Sequence, residues 1–184
     1  MLKGESMKKI TNNELLIYYV NKYSLYSYLN KNLLNSLEIH TFNKNEFLCL
    51  LNDKLSYMYF LVKGKYKVTT LLSSGKSLLI CFNTPLSVIG DIELIENPYA
   101  DCNVQALEPC ICLVLPINMI KEYGYNDPIF LRFIISSLQK KLRQNSSYMS
   151  INMLSKIENR FASYLVSSIY SNNSGEILVD IDGI

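Results

Sequence analysis

The residues best suited to chemistry lie between Val88 and Cys110, in VIGDIELIENPYADCNVQALEPC. Gly90 is followed by Asp91 and the short amphipathic run Ile92, Glu93, Leu94, Ile95 and Glu96, and a turn at Asn97-Pro98 returns the chain to strand-like sequence. A glycine turn that opens a short helix aims backbone N–H groups at one point, which is the chemistry of anion binding. The charge balance opposes an anion. No Lys, Arg or His occurs from Ser77 to Ile120, whereas Asp91, Glu93, Glu96, Asp101 and Glu108 all lie there. A buried anion needs a paired cation, because an unpaired buried charge costs several kcal/mol.

The cassette resembles the cyclic-nucleotide-binding domain of the Crp/Fnr transcription regulators, whose motif runs Phe-Gly-Glu-Leu, a short spacer, then Arg-Ser-Ala. Laid against it, Gly90 and Asp91 take the Gly-Glu places, and Ala100 and Asp101 stand where the phosphate-gripping Arg-Ser belongs. The cassette is kept and its cation is gone. Three readings stay open: a loop without a ligand, a site for an uncharged or cationic effector, and a cyclic-nucleotide site. The segment Tyr59 to Val68, with Gly64 at its centre, is similar to the family's strand–Gly–strand hairpin. Two family glycines upstream are replaced by Asn45 and Asn52. Asparagine is the non-glycine residue that best tolerates positive φ, so both turns are expected to survive.

The elements that must position this cassette change character along the chain. From Asn13 to Leu37, Leu15, Leu16, Tyr19, Val20, Tyr23, Leu25, Tyr26, Leu29, Leu33, Leu34 and Leu37 recur at helical spacing, which predicts one or two amphipathic helices. Short β-prone runs follow at Glu38–Phe42, Phe47–Leu51, Tyr57–Val62, Tyr66–Leu72, Leu78–Phe82, Asn103–Ala106 and Cys110–Leu115. Strands at such spacing read as an antiparallel sandwich or barrel. Asp127-Pro128 has the form of a helix start, with Asp as N-cap and Pro first in the helix. Beyond it Leu131, Ile135, Leu138, Leu142, Asn145, Met149 and Asn152 alternate spacings of four and three, a heptad seam interrupted by asparagine. Such an asparagine is explained by pairing across the axis of a symmetric partner helix. Ser155-Lys156-Ile157-Glu158 fits a capping box that starts another helix through Phe161, Leu165 and Ile169.

The resemblance extends over these elements. It implies an α+β fold: an antiparallel, jelly-roll or cupin-like β-roll with N-terminal helices and a long C-terminal dimerisation helix. Residues 1–37 would be the helical segment, 38–116 the effector-sensing roll, 117–154 the dimerisation region and 155–184 the start of a truncated winged helix-turn-helix. Arg160 to Leu165 resembles the helix that opens that winged domain, and Asn145 with Ser146 matches the family's Thr-Ser pair that reaches the nucleotide base from the seam. The effector pocket would then hold Gly90, Asp91, Ile92, Glu93, Ala100, Asp101, Asn145 and Ser146. The dimer interface would use Leu131, Ile135, Leu138, Leu142, Asn145 and Met149.

Composition narrows the function classes. A chain of 184 residues with 49% hydrophobic content is long enough for one real core. A net charge of +2 is too mild for a concentrated nucleic-acid face. No run of about 18 apolar residues implies a membrane span, and MLKGESMKKITNNELL lacks the apolar core of a signal peptide, which makes the cytoplasm the expected compartment. Five cysteines are an odd number, so reduced thiols are expected. Cys110 and Cys112 share one face of a strand, and burial as small hydrophobes outweighs a redox or metal role. His40 is the single histidine, which leaves a metal-dependent cupin enzyme without its ligand set. Neither metal nor cofactor is expected, nor enzymatic activity. The function read here is the effector-sensing and dimerisation module of a Crp/Fnr-type regulator, a homodimer unresponsive to cyclic AMP, whose promoter DNA is met through a C-terminal domain outside this chain. The rival is a stand-alone ligand-binding or protein-interaction module with the same fold.

Overall fold

The computed structural model describes residues 7–154, 162, 169–171 and 177–179. It divides into two compact units, Met1–Leu138 and Gln139–Ile184. The first opens with β1 (Lys8–Ile10), α1 (Asn13–Lys22), a 3-10 turn (Leu25–Ser27) and α2 (Lys31–Asn35). The expected helical stretch is therefore broken, at Ser24, whose φ of 51° is left-handed. Both helices start on asparagine: Asn12 Oδ1 accepts the Leu15 N–H at 2.9 Å, and Asn30 Oδ1 accepts that of Leu33 at 3.0 Å. Such caps satisfy amides that have no partner inside the helix.

Eight strands follow: β2 (Glu38–Phe42), β3 (Phe47–Cys49), β4 (Tyr57–Lys63), β5 (Tyr66–Leu71), β6 (Ser77–Asn83), β7 (Ser87–Ile89), β8 (Asn103–Ala106) and β9 (Cys110–Pro116). They form an antiparallel β-roll of two sheets, ordered β1-β2-β9-β4-β7 and β3-β8-β5-β6. The seven expected strands are all present within a residue or two of their ends. β1 and β7, three residues each, were not read from the sequence. Asn45 and Asn52 adopt φ of 71° and 68°, as expected of residues standing in for glycine. At Gly64 (φ 99°) an added Cβ would lie 2.7 Å from Cys110 Sγ and 2.8 Å from the Pro109 carbonyl, so only glycine fits the hairpin.

β4 and β9 read as near-continuous apolar runs because both of their faces are buried. Met58, Phe60, Leu113 and Leu115 join Leu25, Leu33, Ile120, Phe130 and Ile134 in one core under the helices. Their alternates, Tyr59, Leu61, Cys112 and Val114, join Phe42, Tyr66, Ile89 and Val104 in a second core that unites residues of both sheets. None of the five cysteines is in a disulfide. Burial pushes the thiols of Cys49 and Cys110 up to about 12 and that of Cys112 well up, so these three behave as small hydrophobes.

His40 is a buried strand residue, at 1% exposure. Its Nε2 lies 3.2 Å from Glu38 Oε2, and Nδ1 has no hydrogen-bond partner among the described residues. Burial lowers its pKa, against the opposing pull of Glu38; Lys9, which also pairs with Glu38 at 2.9 Å, lowers it further. A histidine whose folded pKa lies below its unfolded value of about 6.5 gains a proton on unfolding. Its stabilisation is thus present above that pH and lost as pH falls beneath it. Thermal melts at pH 7.5 and 5.5 are expected to show a drop for the wild type, limited to about 1.4 kcal/mol per pH unit for one proton. The drop should shrink in H40Q; an unchanged slope would remove His40 as its source.

After β9, α3 (Ile117–Tyr123) and the long α4 (Pro128–Leu154) complete the described helices. α3 was not read as a helix from the sequence. Asp127 caps α4 as expected: its Oδ1 accepts the Ile129 N–H at 2.9 Å, and its Oδ2 accepts Asn30 Nδ2 at 2.8 Å. Burial works against its charge, but these donors hold its carboxyl below the ordinary carboxylate value. In the second unit β10 (Ile169–Ser171) pairs antiparallel with β11 (Ile177–Val179), so Ile169, expected in a helix, lies in a strand whose backbone is paired instead. The capping box at 155–158 and the segment 160–165, apart from Ala162, lie outside the described residues.

Candidate functional site

The cassette begins where β7 ends. Gly90 is buried and has φ 91°, with an added Cβ 3.3 Å from the Tyr57 carbonyl, so the sharp turn expected there is real. The short helix expected after it is absent: residues 91–96 form consecutive bends. Six residues between a glycine and Asn97-Pro98 make too few hydrogen bonds to offset helix nucleation. Instead each apolar residue follows its own environment. Leu94 drops into the core at 4% exposure, while Ile92 and Ile95 stay out at 59% and 77%. Without that helix its N-terminal pole, the expected source of converging N–H groups, is missing.

Asp91 is buried at 3% exposure, and Ser137 of α4 donates its hydroxyl to Asp91 Oδ2 at 2.8 Å. A few residues on, the Tyr125 hydroxyl donates to the Leu94 carbonyl. Glu93 is half-buried, close enough to Cys49 for its charge to add to the rise of that thiol's pKa, after burial itself.

Ala100, expected in the arginine's place, is 1% exposed and belongs to the same core as Val104 and Tyr59. Its N–H donates to the Asp53 carbonyl at 2.9 Å and its carbonyl accepts the Asn52 N–H at 2.8 Å. That amide is spent on structure. Asp101 is exposed. Gly90, Asp91, Ile92, Glu93, Ala100 and Asp101 thus share the first unit, whereas Asn145 and Ser146 are exposed residues of α4 within the second.

The seam residues of α4 divide by environment. Leu131 and Leu138 pack against their own core, together with the fully buried Phe130 and Ile134. Ile135 and Leu142 are 63% and 69% exposed. Asn145 is exposed, and the side chain of Met149 lies outside those described.

Sequence reasoning missed two features. Ser137 carries no local signal, because a serine on a helix is unremarkable until a carboxylate lies across from it. Lys65 is buried at 3% exposure with its Nζ 4.8 Å from the centre of the Phe82 ring, a cation–π arrangement. Its one sequence signal is its place directly after Gly64. Among the described residues, no group of three or more His, Cys, Asp or Glu could hold a metal ion, and no helix is long and apolar enough to cross a membrane.

Residues 39–123 match the family model described as the cyclic nucleotide-binding domain. The match runs from β2 to the end of α3. The family name speaks for the fold, and what a member binds is decided by the side chains in its cassette. The regulatory protein YeiL of Escherichia coli O157:H7 is 32% identical over 113 residues, 61% of this chain and 52% of that one. A cyclic nucleotide-binding domain from Methylobacillus flagellatus superposes with a TM-score of 0.69 at 13% identity, over 82% of this chain and 92% of that one. The c-di-GMP-responsive global regulator CLP of Xanthomonas campestris gives 0.66 at 13% identity, over 75% and 70%. The structural neighbours include Crp/Fnr-family transcriptional regulators. The chain spans between about half and three-fifths of the length of the curated relatives it matches.

Proposed function

We propose that this cyclic nucleotide-binding domain and α4 form the effector-sensing and dimerisation module of a Crp/Fnr-type transcription regulator that does not answer to cyclic AMP. The observation that carries the reading is the 2.8 Å hydrogen bond from Ser137 to Asp91, which joins the cassette to the helix through which such a module would report. Nothing in the cassette offers catalytic chemistry, and the relative YeiL is a regulatory protein. A net charge of only +2 makes a concentrated DNA-binding face on these 184 residues unexpected.

The test is a DNA shift assay with the region upstream of the protein's own gene. The protein as its gene encodes it is expected to shift that DNA with a sequence preference that survives about 0.2 M salt, whereas these 184 residues alone show none. No preference from the whole protein would sink the regulator reading. That result would favour a stand-alone interaction module, for which the exposed Ile92, Ile95 and Tyr99 of the cassette loop are the supporting feature.

A further inference from the structure

The acid of the cassette already has a partner inside its own chain. Asp91, 3% exposed, accepts the Ser137 hydroxyl at 2.8 Å. Three residues on, the Leu94 carbonyl accepts the Tyr125 hydroxyl, and the Leu94 side chain lies in the same core as Phe130 and Ile134 of α4. Loop 91–96 is thus tied to the segment from Tyr125 to Ser137 by two hydrogen bonds and a shared core. The start of α4 is fixed from the other side by Asn30, which donates to both Asp127 Oδ2 (2.8 Å) and the Tyr123 carbonyl (2.9 Å) while capping α2.

We propose that Asp91 and Ser137 form an internal latch: loop 91–96 and residues 128–138 of α4 open and close as one unit, with a serine of the chain in the donor role that an effector would otherwise fill. The proposal rests on the reading of α4 as the reporting element. Its physics is that of a buried carboxylate. Removing the Ser137 hydroxyl takes away a buried hydrogen bond by which α4 holds the loop, so both segments lose protection together.

The substitution S137A separates this from a merely structural role. Alanine is a better helix former than serine, so a serine without a partner would be replaced with equal or slower exchange in the helix. Hydrogen exchange on the full chain is expected to quicken about ten-fold in S137A, equivalent to about 1.4 kcal/mol, at both 91–96 and 128–138. β4 and β9 should keep their wild-type rates. S137T, which keeps the hydroxyl, should restore slow exchange, and Y125F should quicken the same two segments. Faster exchange in one segment alone, unchanged exchange in both, or a general quickening that includes β4 and β9 would each overturn the latch. Coupled exchange in a protein that shifts no DNA would leave the latch standing and remove only the regulator reading.

Discussion

Calorimetric titration of this chain with cyclic AMP or cyclic GMP is expected to yield no saturable binding below about 1 mM. In a family pocket the cyclic phosphate sits in an arginine fork, which supplies a charge-assisted bidentate pair. In the proposed match the place falls to Ala100, whose side chain is buried and whose N–H already serves the Asp53 carbonyl. Asp101, Glu93 and Glu96 are of the phosphate's own sign; two like charges about 4 Å apart repel by about 4 kcal/mol at an effective dielectric of 20. The lost fork and the added repulsion each cost a few kcal/mol, enough together to carry a micromolar ligand past the millimolar range. Asp91, the family's Gly-Glu acid, is engaged with Ser137 and would have to release it first. Nor should A100R restore the site, because a guanidinium forced into a packed core costs about 1–3 kcal/mol or more in overpacking alone. A dissociation constant at or below about 10 µM would mean that a cation outside the cassette reaches it. Lys65, buried in the same roll, is then the residue to replace with methionine.

Replacing Ile135 and Leu142 together with glutamate is expected to convert a dimer to monomers without lowering the melting temperature of the protomer by more than about 2–4 °C, since exposed substitutions usually change stability within about 0.5 kcal/mol each. The pair lies one heptad apart on α4, exposed at 63% and 69%. Apolar side chains so exposed at seam spacing are suited to a symmetric partner helix. Four buried carboxylates across the axis, each without a cation, would cost several kcal/mol apiece. Leu138 makes a poor substitute in this test, because it packs against the protein's own core and a charge there would damage the fold before the interface. Light scattering that finds the wild type monomeric at micromolar concentration would end the idea.

The two experiments draw on different layers of information. Strand-like runs in the sequence were enough for an antiparallel sandwich or barrel, the family resemblance added the roll and its turns at Asn45 and Asn52, and the Asp127 cap follows from local chemistry; the structure contains them. The missing arginine was equally legible, because the absence of a cation over more than forty residues needs no coordinates. Local chemistry misjudged residues 91–96. Their amphipathic pattern suited a helix, but the pull of Leu94 into the core and of Asp91 toward Ser137 decided their course.

The heptad spacing of α4 likewise marked a seam without saying which of its residues the roll would claim. Leu131 and Leu138 turn to their own core while Ile135 and Leu142 do not, because a helix 3.6 residues per turn carries a strict heptad around its axis and the surface it lies on takes whichever positions face it. What the sequence determined by itself was the strand-like runs, the turns, the helix start and a cassette without Lys, Arg or His, all of them legible in neighbours a few residues apart. Only the tertiary structure decided that the cassette acid is bonded to a serine forty-six positions away, that Lys65 is buried against Phe82 and that the Ala100 amide is already committed. Each of these joins groups distant in sequence, and no spacing along a chain encodes which distant polar groups its folding will bring within hydrogen-bond reach.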